Sequence, residues 1–171
     1  MKKVIGVAVV LLMVAALFAA CGAPAAEQTD GGPDVVNPLK EYDGVEALAD
    51  ATGIEMQLPH SAELVLVQSI DDKMNEVVFT VADGSEYTYR KAKSDFPDTN
   101  GENDISGMYV EWKDVHEGTT PNGLKVTVKT GDPDNDGAGL VIWNDGTYKY
   151  AIIANKGYDE GMLFAAADSV R

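Results

Sequence analysis

Alternation of apolar and polar residues constrains this chain more than any other feature. Leu124, Val126 and Val128 alternate with Lys125, Thr127 and Lys129. Successive side chains of a strand point to opposite faces, so this run makes a β-strand with one apolar and one wet face. Val77 to Ala82 and Glu86 to Lys91 flank Asp83-Gly84, and Leu140 to Trp143 and Tyr148 to Ile153 flank Asn144-Asp145-Gly146. Both arrangements read as β-hairpins. Ala62 to Ile70 and Met108 to Val115 supply two more strands, while Ser94 to Ser106 and His116 to Gly123 form the long loops.

Helical spacing replaces the alternation at two places. Asp43-Gly44-Val45-Glu46 has the spacing of a capping box, Val45, Leu48 and Ala49 share one helical face, and Gly53 stands where a helix would end. A short helix over 44–52 follows. Near the other end Asp159 caps a helix on whose face Met162, Leu163, Ala166 and Val170 align. The expected fold is therefore α+β: a single antiparallel sheet of six or seven strands, one face covered, bracketed by an N-terminal and a C-terminal helix.

Ahead of this region lies a leader. Lys2 and Lys3 precede an uncharged run from Val4 to Ala20, and small residues lead to Cys21. That is the layout of a secretory signal, and Leu17-Phe18-Ala19-Ala20-Cys21 resembles the bacterial lipobox, in which the cysteine receives a diacylglyceryl group and the signal is cut just before it. The expected organisation is a lipoprotein signal peptide over 1–20, a lipidated tether over 21–36 and one extracytoplasmic domain over 37–171. Gly, Ala, Pro and acids dominate Gly22 to Asn37, which cannot bury a core. As a flexible tether it would reach about 20 Å.

Charge and ligand inventory exclude several functions. The chain carries 13 Lys and Arg against 28 Asp and Glu, a net charge of -15. Loss of Lys2 and Lys3 with the leader leaves 11 basic against 28 acidic residues, a net of -17. Such a surface repels nucleic-acid phosphates and anionic headgroups, so the bilayer is engaged through the Cys21 anchor alone. A single cysteine precludes an internal disulfide. With only Cys21, His60 and His116 as soft ligands, a haem, iron-sulfur or structural zinc site is excluded. The domain is expected to be a monomer without a resident cofactor.

Four sets of residues remain as candidates. Asp132, Asp134 and Asp136, followed by Gly137, match the first half of a calcium loop, in which hard oxygen ligands converge on the ion. The bidentate Glu expected at its twelfth position is Trp143, so a hairpin loop is the stronger reading and calcium the alternative. Tyr87, Tyr89, Tyr109, Trp112, Trp143, Tyr148 and Tyr150 all fall on expected strands, either filling the core or exposing a ring pair as a platform for a sugar or peptide. Arg90, Lys91 and Lys93 form an anion site or, by the stronger reading, pair with Asp95, Asp98, Glu102 and Asp104. His60 and His116 sit in separate loops, and neither stands beside an activated nucleophile.

One resemblance bears on the whole of 37–171. Asn37-Pro38-Leu39-Lys40-Glu41-Tyr42-Asp43 entering a helix, Tyr89-Arg90-Lys91-Ala92-Lys93, Asp104-Ile105-Ser106-Gly107, and a Trp143-to-Tyr150 hairpin running into a closing helix are similar to an uncharacterised domain family. Its members are small lipoproteins of Gram-positive bacteria, and related domains form the outer part of some membrane-anchored anti-sigma factors. The resemblance implies the fold and the address but no catalytic residues, and the regulatory role of the larger relatives is not expected to carry over. The expected function is a membrane-anchored, non-enzymatic binding module for an envelope protein or wall component. A hydrolase acting on cell-envelope polymers, using paired carboxylates, is the alternative.

Overall fold

In the computed structural model, β-strands and two helices are described over residues 37–132, 137–155 and 157–170. The expected leader over 1–20, the expected tether over 21–36 with Cys21, and the calcium candidates Asp134 and Asp136 lie outside the described residues. Strand β1 (Leu39–Glu41) leads into helix α1 (Val45–Thr52), and β2 (Glu63–Ile70), β3 (Met74–Thr80) and β4 (Glu86–Lys93) then form a meander. After a long connection come β5 (Asp114–Thr119), β6 (Lys125–Thr130), β7 (Gly139–Asn144) and β8 (Tyr148–Ala154), closed by helix α2 (Glu160–Ser169). All pairings are antiparallel and make one open sheet, in the order β1-β2-β3-β4-β8-β7-β6-β5.

The sheet has eight strands where six or seven were expected, and β1 precedes α1, so the helices do not bracket it. The expected 108–115 strand is displaced: β5 starts at Asp114 and runs through Thr119, into the segment read as a loop. The β3–β4 and β7–β8 hairpins turn at Gly84 and Gly146, both with positive φ, as their Asp-Gly signals require. Between β2 and β3 the tight turn is made by Asp71 and Asp72, with φ of 55° and 53°, and Lys73 N donates to the Ile70 carbonyl. Aspartate tolerates this left-handed conformation better than most residues.

Helix α1 begins at Gly44 without the expected capping box, since no side chain bonds its first turn. It ends as expected at Gly53, whose left-handed backbone donates to Ala49. The cap on α2 forms as expected, Asp159 accepting a hydrogen bond from Met162 N at 3.1 Å.

Both helices lie on one sheet face. Leu48 from α1 and Leu163, Ala166 and Ala167 from α2 join Val77, Tyr89, Val126, Val128, Val141 and Ile152 in the larger core cluster. Burial of each large apolar side chain there stabilises the fold by roughly 1.5–3 kcal/mol. Contact with the sheet is close: a Cβ on Gly139 of β7 would lie 2.5 Å from the Tyr158 ring, and one on Gly118 of β5 would lie 2.7 Å from Phe164.

The opposite face is covered as well, by the connection between β4 and β5. Ile105, Phe96, Met108 and Trp112 pack on Met74, Ala92, Leu140, Ile142, Ala151 and Ile153. Three strand cations fasten this strap. Arg90 bonds Glu76 at 2.5 Å and the carbonyls of Ile105 and Ser106. Lys129 bonds Asp104 at 2.7 Å and the Asn100 carbonyl, and Lys149 bonds Asp98 at 2.6 Å and the Phe96 carbonyl. The wet face expected for β6 is thus dry at Lys129, which is buried with its charge paired.

Candidate functional site

The aromatic residues are mostly internal. Tyr87 and Tyr89 are buried in the larger cluster, and Trp143 stacks on Tyr150 with centroids 4.8 Å apart and planes within 3°. Tyr150 donates to Asp145 at 2.6 Å, and Tyr148 meets Tyr150 edge-on at 6.3 Å. Burial, then the bond to Asp145, pushes the Tyr150 hydroxyl well above the usual tyrosine range. Neither tyrosine pair offers an open platform, because both face the helices. Tyr109 and Trp112 fall outside the strands, and Tyr109, 83% exposed, is the ring most open to solvent among those described.

The basic cluster is divided by the sheet. Arg90 and Lys91 point to opposite faces as neighbours on a strand must. Lys91 donates to the Glu55 carbonyl at 2.7 Å, with its ammonium 4.5 Å from the Tyr148 ring centroid, and burial lowers its pKa. Lys93 is exposed at the end of β4. Of the four acids expected to neutralise the cluster, Asp98 and Asp104 serve Lys149 and Lys129 instead, cations far away in sequence that the strap brings near.

Asp132 lies within 2.5 Å of Lys113 and shares a cleft of about 470 Å³ with Glu111 and Trp112. It is the one member of the calcium candidate among the described residues. No group of three or more His, Cys, Asp and Glu among the described residues is arranged to hold a metal. Glu111 and Asp132 place two carboxylates in this cleft, and Asp132 is engaged by Lys113 there.

The two histidines are far from equivalent. His60 occupies an exposed turn. His116, expected in a loop, stands on β5: Nδ1 lies 2.6 Å from Asp114 and Nε2 lies 3.5 Å from Glu160 on α2. The hydrogen bond to Asp114, followed by that to Glu160, raises its pKa above the ordinary 6.5. Phe164 of α2 sits over Gly118, and Asp168 accepts from Thr120 at 2.6 Å. Two contacts from α2 on β5, and a third on the residue that follows it, therefore fix the strand from one face.

What they leave untouched is the outer edge of β5. This strand ends the sheet, bonded to β6 on one side and to no strand on the other among the described residues. Its six residues contain no Lys and no Pro, and Val115 is 54% exposed. Half the backbone groups of an edge strand point away from the sheet, forming a row of donors and acceptors that a further strand satisfies. The sequence concealed this edge because Gly118 and the Thr-Thr-Pro-Asn-Gly run from 119 to 123 read as turn chemistry. In comparisons with known families, curated proteins and solved structures, nothing matches the chain.

Proposed function

We propose that this protein is a lipid-anchored extracytoplasmic binding module, held by Cys21 and a short tether, that engages an envelope protein or wall component through the outer edge of β5. The observation that carries the binding half is the six-residue edge of β5, unpaired among the described residues, held by α2 and without lysine, proline or register irregularity. The resemblance to small lipoproteins of Gram-positive bacteria and the lipobox at Cys21 support the address. The reading is non-enzymatic: His116, Arg90 and Lys91 are engaged in structural contacts, with Glu160 of α2, the Ile105 carbonyl of the strap and the Glu55 carbonyl.

Two measurements test it. Cys21→Ser should move the protein from the detergent to the aqueous phase, and unchanged partitioning of a cleaved Cys21→Ser protein would contradict the anchor. A photo-cross-linker at Thr119 on β5 and another at Leu39 on β1, in native membranes, test the edge. The reading predicts a discrete adduct from position 119 and none from 39; equal labelling from both removes it.

A further inference from the structure

We infer that the ligand of the β5 edge is an extended, cationic segment of another protein, added as a ninth strand, with Lys or Arg alternating with small apolar residues. The inference rests on the reading of β5 as the binding edge and adds the chemistry of what binds there.

An added strand would meet two rows of side chains. On the helix-covered face stand Asp114, His116 and Gly118; on the other stand Val115, Glu117 and Thr119. Residues directly opposite on neighbouring strands have Cβ atoms about 5 Å apart, so each position on β5 selects its counterpart. Along the first row, Asp114 is exposed, and Glu160 projects from α2 to the same histidine, so that two carboxylates flank one imidazole. Along the second, Val115 offers an apolar surface and Glu117 an exposed carboxylate that accepts a hydrogen bond from Thr127 at 3.0 Å. An alternating strand sets its basic residues against one row and its apolar residues against the other, so that Lys or Arg faces Asp114 and Glu160 while the apolar side chains meet Val115.

Charge also selects against the commonest alternative, a second copy of this chain. Each chain has a formal net charge of -15, and pairing two β5 edges would bring Asp114 and Glu117 of both copies into one junction. Like charges across a strand junction oppose pairing, and the whole-molecule field opposes approach. For a cationic segment the same field accelerates association. Backbone hydrogen bonds along the edge supply affinity that depends little on sequence, and the two rows supply the preference for charge.

The test uses the full chain in a non-ionic detergent and two seven-residue blocked peptides, one alternating Lys with Val and one alternating Glu with Val. Amide hydrogen exchange is read along β5. The Lys/Val peptide should slow the outward-facing β5 amides, about tenfold at roughly ninety per cent occupancy, since only the free tenth exchanges. Raising the salt from about 0.02 to 0.15 M shortens the screening length to about 8 Å and should weaken binding at least about threefold. Glu117→Lys, a change at an exposed side chain, should weaken it similarly without altering the melting temperature. Equal protection by the Glu/Val peptide would overturn the cationic partner and leave the open edge standing. Protection by neither peptide would overturn both, and β5 protection that rises with protein concentration alone would assign the edge to a second copy.

Discussion

The two ends of the sheet are finished differently. At one end β1 has only three residues, and Lys40 at its centre is ion-paired with Asp72 at 2.5 Å. Beyond β1 the neighbouring part of β2 exposes Leu64 and Val65, but the pairing of β2 with β3 shifts register between Leu64 and Leu66. A short strand, a lysine and a register irregularity are three of the devices by which proteins deter edge-to-edge pairing. At the other end β5 is twice as long, keeps continuous register with β6 and has none of the three. Its charges are acidic, which turns away copies of an acidic chain without turning away a cation. The contrast teaches that the two edges are protected by different means: one by shortness, a lysine and a register irregularity, the other by acidic side chains.

The most damaging way to break the comparison is to remove the platform of β5. Val126 on β6 lies opposite Gly118, and its side chain is buried in the helix-covered cluster. Val126→Asp should destabilise the domain by about 4 kcal/mol or more, because a carboxylate is buried without a partner. An unchanged urea midpoint would mean the face of β6 has been assigned backwards. Gly118→Ala tests the hold of α2 more locally. The added methyl meets Phe164 at 2.7 Å and Val128 at 3.2 Å, and the expected loss is about 1–3 kcal/mol in chemical denaturation. Stability equal to the parent would show that α2 does not press on the edge strand.

A pH series sharpens the same point. His116 has its pKa raised by Asp114 and then Glu160. Its contribution to stability is therefore complete below the unfolded value of 6.5 and is lost as pH rises through the higher folded value. His116→Gln should flatten the fall in urea midpoint between about pH 6 and 8, and a slope unchanged by the substitution would remove the clamp. The smallest effect belongs to the blunted end. Lys40 and Asp72 are solvent-exposed, so Lys40→Ala should leave the thermal midpoint unchanged within error. A clear drop would show that β1 is held by that pair and is not merely an edge cover.

Much of this fold was legible where one rule governs a segment. The β6, β7 and β8 strands and the Asn144-Asp145-Gly146 hairpin follow from period-two alternation and turn chemistry, and α2 from its Asp159 cap and apolar spacing. Strand β1 was not legible, because three residues carry no period and its pairing partner lies in β2, far along the chain. Alternation also misled at Lys129. A lysine facing water and a lysine facing the carbonyls and aspartates of a strap have the same pattern, and only the fold distinguishes them. Of the candidate site residues, His116 was named, but not its place on a strand, because its partners Asp114 and Glu160 meet it through tertiary packing. The rings of β4, β7 and β8 were legible as core and Asp132 as a loop residue, while Tyr109 was expected on a strand and is exposed outside one; the edge itself is a property of topology that no local motif carries.

Amide hydrogen exchange of the free protein along Asp114–Thr119 tests the central claim most directly. An open edge bonded to β6 on one side predicts alternation, with inward amides slow and outward amides exchanging nearly as fast as solvent-exposed backbone. Uniformly slow exchange across all six residues would show that the edge is already covered and would contradict the account.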